Sequence, residues 1–202
     1  MSGYYNRRSS RLKGYDYAAA GAYFVTLVTQ DRLCLFGDIV DGDMQLNVAG
    51  SMVFQEWKDI GARSSSIEID SLVVMPNHIH GIIVISDPIG SAPSDRSISH
   101  VGAPLVGALA PGVPSIAGSR ATTRVAPTLG DIVGAFKSLT TVGYVHGVKA
   151  FGWPKFPGRL WQRNYYEHVI RKEDSMCRIR RYIRENPARW ALDHENPANR
   201  RM

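Results

Sequence analysis

The chain has 202 residues, 44% of them hydrophobic and 21% charged, a balance that excludes disorder along its whole length and leaves enough apolar mass for a core. Its longest apolar run, around 82–85, falls far short of the roughly 18 residues a membrane span requires, the basic start (Arg7, Arg8, Arg11, Lys13) leads into no apolar signal-like stretch, and Cys34 and Cys177 lack a metal or redox spacing. These features predict a cytoplasmic protein with no membrane partner, no disulfide framework and no cysteine zinc site, and its charge is two-sided: 31–70 holds eight acids against three bases, 155–184 nine bases against three acids.

The first predicted element is a strand, Tyr23 to Thr29, β-branched and aromatic. Asn47 to Ile60 spaces Val48, Met52, Val53, Trp57 and Ile60 as the inward face of an amphipathic helix. Ser66 to Met75 and His78 to Ile85 are β-rich runs parted by Pro76-Asn77, which predicts a hairpin whose second strand, apolar on both faces, is central in its sheet. From Ser86 to Pro127, Gly, Pro, Ser and Ala supply 25 of 42 residues and there is no Phe, Tyr or Trp, so the segment cannot close a core. It is expected to be a flexible insertion at 86–127 within one domain spanning 1–202.

Leu129 to Val142 predicts a second helix with Ile132, Val133, Phe136 and Leu139 inward, and Arg159 to Ile170 a fourth strand. The last helix is expected over Asp174 to Asn186, capped by Asp174 or Ser175 and stopped by Pro187. The order β-α-β-β-α-β followed by a helix predicts an α+β, ferredoxin-like sandwich: an antiparallel sheet with helices on one face and a C-terminal helix carrying Tyr182.

Strand alternation puts His78 and His80 on one face, with imidazoles close enough to share a cation. Two buried imidazoles side by side would otherwise need two sets of hydrogen-bond partners, so metal ligation is the favoured expectation. Two histidines without cysteine leave coordination positions open, which suits a catalytic divalent ion better than structural zinc. On the last helix, Tyr182 and Asn186 share a face beside the apolar stripe of Met176, Ile179 and Ile183. Spacing alone makes Tyr182 a core-edge residue and Asn186 a helix stop.

Arg178, Arg181 and Arg184 lie toward the outside of that helix, where they could hold a phosphodiester backbone. The basic segment around it joins Arg163, Arg171 and Lys172 with Trp161 and Tyr166, pairing phosphate attraction with stacking surfaces as a groove for single-stranded nucleic acid does. A solvated basic face over an aromatic core would use the same residues. Tyr165 and Tyr166, being adjacent, should face opposite ways, one into the core and one free to stack a base. Lys137 on the second helix is a candidate phosphate contact, and His168 either a polar group near the metal or a surface histidine.

Three separated motifs, MPNHIHGIIVI (Met75 to Ile85), WQRNYYEHVIR (Trp161 to Arg171) and RRYIRENPARW (Arg180 to Trp190), resemble the single-tyrosine HUH transposases of the insertion sequence 200 type. The likeness is strongest to their REP-associated tyrosine transposase branch, and RSSRLKGYDYAAAGAYFVTLVTQDR near the start resembles it too. The resemblance implies His78 and His80 as metal ligands, Tyr182 as nucleophile and Asn186, where many relatives have Gln, as third ligand. It further implies Mg²⁺ or Mn²⁺, single-stranded or hairpin DNA as partner, a nucleoid-associated location, and strand transfer through a 5′-phosphotyrosine. Some members exchange the tyrosine helix between two subunits, so a homodimer falls within what the resemblance implies. The alternative is a catalytically silent, domesticated protein that grips structured DNA or RNA.

Overall fold

A computed structural model describes residues 19–86 and 127–199. The predicted insertion lies outside these residues apart from its two ends, as does the first part of the opening motif, up to residue 18. The elements are β1 (Gly21–Val28), β2 (Gly37–Val40), β3 (Asp43–Leu46), α1 (Val48–Ala62), β4 (Ile67–Val74), β5 (His78–Ile85), α2 (Leu129–Phe151), β6 (Tyr166–Ile170) and α3 (Glu173–Glu185). β4, β5, β1 and β6 form, in that order, one antiparallel sheet. With the β2–β3 hairpin set aside, that is the predicted ferredoxin-like order, and β5 is central.

Residues of alternate parity separate the two faces. Tyr23, Val25, Leu27, Ile79, Ile83 and Ile85 turn toward α1 and α2 and form the main core with Val53, Trp57, Ile60, Ile132, Val133 and Phe136. At Gly81 the sheet backbone meets Trp57 directly: a Cβ there would lie 2.5 Å from the indole Cζ2. On the opposite face a smaller cluster of Phe24, Ile82, Ile170 and Ile183 takes in Met176 and Ile179, which seats the apolar stripe of α3. Arg180 fixes that seat by a bidentate pair with Asp70 (2.9 and 2.6 Å). Asp70 stands where the β4–β5 register shifts between Ile69 and Leu72. Among the described residues no helix is long and apolar enough to cross a membrane.

Several expectations are corrected. The β2–β3 hairpin was not anticipated. α1 begins at Val48 with Asn47 as N-cap, its side chain accepting from Gly50 N, so Val48 sits in the exposed first turn rather than inward. α2 runs nine residues past Val142, to Phe151, and Leu139 is partly exposed while Thr140 is buried. The fourth strand is only Tyr166–Ile170; upstream of it, Trp161 makes an isolated bridge to Thr29. α3 starts at Glu173 with Lys172 at the N-cap, so neither Asp174 nor Ser175 caps it. Pro187 ends the α-helix as expected, and the chain continues as a 3-10 turn to Leu192.

Candidate active site

The face of the sheet turned away from α1 and α2 carries the candidate site residues His78 and His80. His78 and His80 start β5 and stand opposite Val28 and Thr26 of β1, while Thr26 also pairs with Tyr166 of β6. α3 crosses this face and hangs Tyr182 over it, its ring edge-on to Phe24 and 5.1 Å from the His80 ring. The 3-10 turn after Pro187 brings Trp190 against His78 and Asp193 in behind it. A cleft of about 610 Å³ opens between these parts, lined among others by Thr26, His80, Tyr166, Tyr182 and Asn186.

Within it, His78 Nε2 and His80 Nε2 are 3.0 Å apart, and Tyr182 Oη is 3.3 Å from the same His80 nitrogen. The remaining ring nitrogens are bonded outward: His80 Nδ1 lies 2.8 Å from Thr26 Oγ1, and His78 Nδ1 2.8 Å from Asn77 Oδ1. Asp193 Oδ2 is 3.8 Å from His78 Nε2. Burial holds His78 down at about 3 and His80 well below the usual histidine value, His80 being lowered further by His78 beside it, so both rings are neutral at pH 7. Burial, then the negative charge of Asp193, pushes the Tyr182 phenol up, against a lesser hydrogen bond from Asn186.

Two neutral nitrogens converging at 3.0 Å, with a carboxylate near, suit a cation. The ligand atoms of His78, His80 and Asp193 all lie within 4.8 Å of one another. Asn186, 1% exposed at the end of α3, has a buried Oδ1 with no hydrogen-bond partner, an arrangement that is costly unless something binds that oxygen. The donor set therefore fits a divalent metal ion: borderline imidazole nitrogens joined by oxygen ligands. Asp193 was not foreseen. It lies in a polar stretch with no periodicity, and only the Pro187 stop hinted that the chain turns back there.

Of the other residues singled out from sequence, Tyr166 is half-exposed on the site face, touching Phe24, while Tyr165 packs on the main core, as their opposite facing required. Arg163, Arg171, Lys172, Arg178, Arg181 and Arg184 are exposed, and so is His168. Trp161 is not available for stacking: it is 4% exposed, wedged against Phe36 and Phe136, with Nε1 donating to Thr140 Oγ1. Lys137 is not a free phosphate contact either. Its ammonium donates to the carbonyls of Gln162 and Arg163 (2.9 and 3.3 Å), and burial lowers it to about 8. Both side chains hold the loop that leads into β6.

No family model matches the chain. A protein of Haemophilus influenzae, described as an uncharacterized protein, is 36% identical over 193 residues, covering 95% of this chain and 94% of that one. The chain belongs to the family of that protein. Among solved structures, a REP-associated tyrosine transposase bound to a REP hairpin aligns with 94% of this chain and 74% of its own at 18% identity and a TM-score of 0.48.

Proposed function

We propose that this protein cleaves and transfers single-stranded DNA at hairpin-bearing sites, with Tyr182 as nucleophile and a divalent metal held by His78 and His80, completed by Asn186. The observation that carries the reading is the approach of Tyr182 Oη to within 3.3 Å of His80 Nε2, beside a His78 nitrogen 3.0 Å further on. A phenol and two inward imidazole nitrogens converging in one cleft is more than a binding surface needs.

The chemistry follows from these side chains. The phenol is held protonated by burial and by Asp193, so attack at neutral pH needs an electrophile whose charge is withdrawn. Bound Mg²⁺ or Mn²⁺ would supply Lewis acidity toward a phosphate oxygen. Tyr182 Oη gives up its proton and forms a bond to phosphorus as the bond to the 3′-oxygen breaks, and the released 3′-oxygen takes up a proton, so none is consumed or released overall. A 5′-phosphotyrosine remains, which a second 3′-hydroxyl can attack in turn with no outside energy source. Phe24 and His80, stacked on each other, both contact the Tyr182 ring. Tyr166 offers a base a stacking face, and exposed Arg163, Arg171, Lys172, Arg178 and Arg181 offer phosphate contacts.

The test is to incubate the protein with end-labelled, hairpin-bearing single strands and Mg²⁺ or Mn²⁺ and look for a covalent adduct on a denaturing gel. The adduct is expected in wild type, Tyr165→Phe and Tyr166→Phe, and absent in Tyr182→Phe. Hairpin binding without an adduct under either metal would instead favour the non-cutting, structured-nucleic-acid binder.

A further inference from the structure

We propose that Asn77 is a positioning residue: it selects which nitrogen of His78 carries the proton and holds the Asp193 segment against that ring. The proposal rests on the metal-centre reading above. Asn77 reads in sequence as a turn residue after Pro76. Yet its φ is not among the positive values of the described chain, so the turn does not itself need an asparagine.

The side chain, fully buried, is used at both ends. Its Nδ2 donates to two backbone carbonyls, Arg32 O at 3.0 Å and Glu195 O at 2.8 Å. Both are acceptors only, so the amide has one orientation; flipped, it would set oxygen against two oxygens. Oδ1 therefore faces His78 Nδ1 at 2.8 Å and can only accept, which makes Nδ1 the N–H of the neutral ring. Nε2 keeps its lone pair, and Nε2 is the atom 3.0 Å from His80 Nε2 and 3.8 Å from Asp193 Oδ2. One amide thus sets the ligand-competent form of His78.

The same amide draws three stretches of chain together. Glu195, whose carbonyl it binds, donates its own N–H to Asp193 Oδ1 at 2.6 Å, which fixes the carboxylate. Arg32 adds a side-chain bond from Nε to Glu195 Oε2 at 2.5 Å. Asp31 and Arg32 are both held in the left-handed region, at φ 56 and 57, a conformation that disfavours non-glycine residues and persists only where surroundings impose it. Arg32, one of the two, is held on both its carbonyl and its side chain, by Asn77 and Glu195. Orienting partners of this kind shift metal affinity by about 10- to 100-fold when removed.

The experiment is Mn²⁺ titration followed by the EPR signal of the free ion, with long-range ¹⁵N–¹H NMR of the imidazoles to read the His78 tautomer, in wild type, Asn77→Asp and Asn77→Leu. Wild type is expected to show Nδ1–H. Asn77→Leu should show mixed tautomers and bind Mn²⁺ about 10- to 100-fold more weakly. Asn77→Asp keeps the acceptor toward His78 Nδ1 but loses the amide donor to Arg32 O and Glu195 O, so where it folds it should keep the Nδ1–H signal while the Asp193 segment loosens. A folded Asn77→Leu with wild-type tautomer and affinity overturns the proposal. Should that variant not fold, an Nε2–H His78 in wild type overturns it. Wild type with Nδ1–H but no Mn²⁺ binding overturns the metal reading while leaving the tautomer assignment in place.

Discussion

On one face of the sheet Tyr23, Val25, Leu27, Ile79 and Ile83 are sealed under two helices; on the other, one residue out of phase, Thr26, His78 and His80 stand under α3 and the C-terminal turn. The same three residues His78-Ile79-His80 serve both faces. Both are nearly dry, since His78 and His80 are 0% and 4% exposed. What differs is that the helical face buries groups that prefer to be buried, whereas the other buries groups that tolerate it only when neutral or bound. The first face should respond to lost volume and the second to protons and metal.

The largest expected effect is acidification of the metal-free protein. With the folded-state value of His78 near 3 against about 6.5 ordinarily, the unfolded chain binds more protons between those values. Stability should therefore fall as pH drops from about 6.5 toward 3, by on the order of 5 kcal/mol for His78 alone at the acid limit, with His80 lowered in the same direction. Urea unfolding across that range, with and without Mn²⁺, measures it, and a flat profile above pH 4 would contradict the buried neutral pair. Next is Phe136→Ala on the helical face, where a fully buried ring lies edge-on to Trp57. It should cost about 3–5 kcal/mol and leave the Mn²⁺ affinity of the folded protein unchanged; a parallel loss of affinity would show that the faces are coupled.

The smallest effect sharpens the comparison at its edge. Asp70→Asn removes the charge pair that ties α3 to β4. Because Arg180 is exposed, only a small fall in melting temperature is expected at low salt, erased at high salt. The Arg180 hydrogen bond holds the Asp70 carboxyl below its ordinary range, so this contribution is complete above about pH 4 and disappears as pH falls through the lowered folded value. A melting temperature insensitive to both salt and the substitution would mean that α3 is held by its apolar stripe alone.

The fold was legible where periodicity was strong. β5 is bounded as expected because an apolar run between Pro76-Asn77 and a Gly/Pro-rich stretch has little other option, and the α3 stripe of Met176, Ile179 and Ile183 packs as its spacing required. The β2–β3 hairpin escaped notice although Asp41-Gly42 signals its turn, with φ at 54 and 85, because the flanking strands have only four residues each, too few to show a period. His78, His80, Tyr182 and Asn186, paired by local spacing or motif, do meet in space. Asp193 could not be read because its partners come from a strand more than a hundred residues away. Trp161 misled for a related reason: composition shows that an aromatic is present in a basic segment and says nothing of which way it faces.

Tyr182 approaches the His80 of its own chain, with α3 seated on its own sheet by Ile183 and by the Asp70–Arg180 pair. The effective concentration of the phenol at the two imidazoles is then set by the length and seating of one helix.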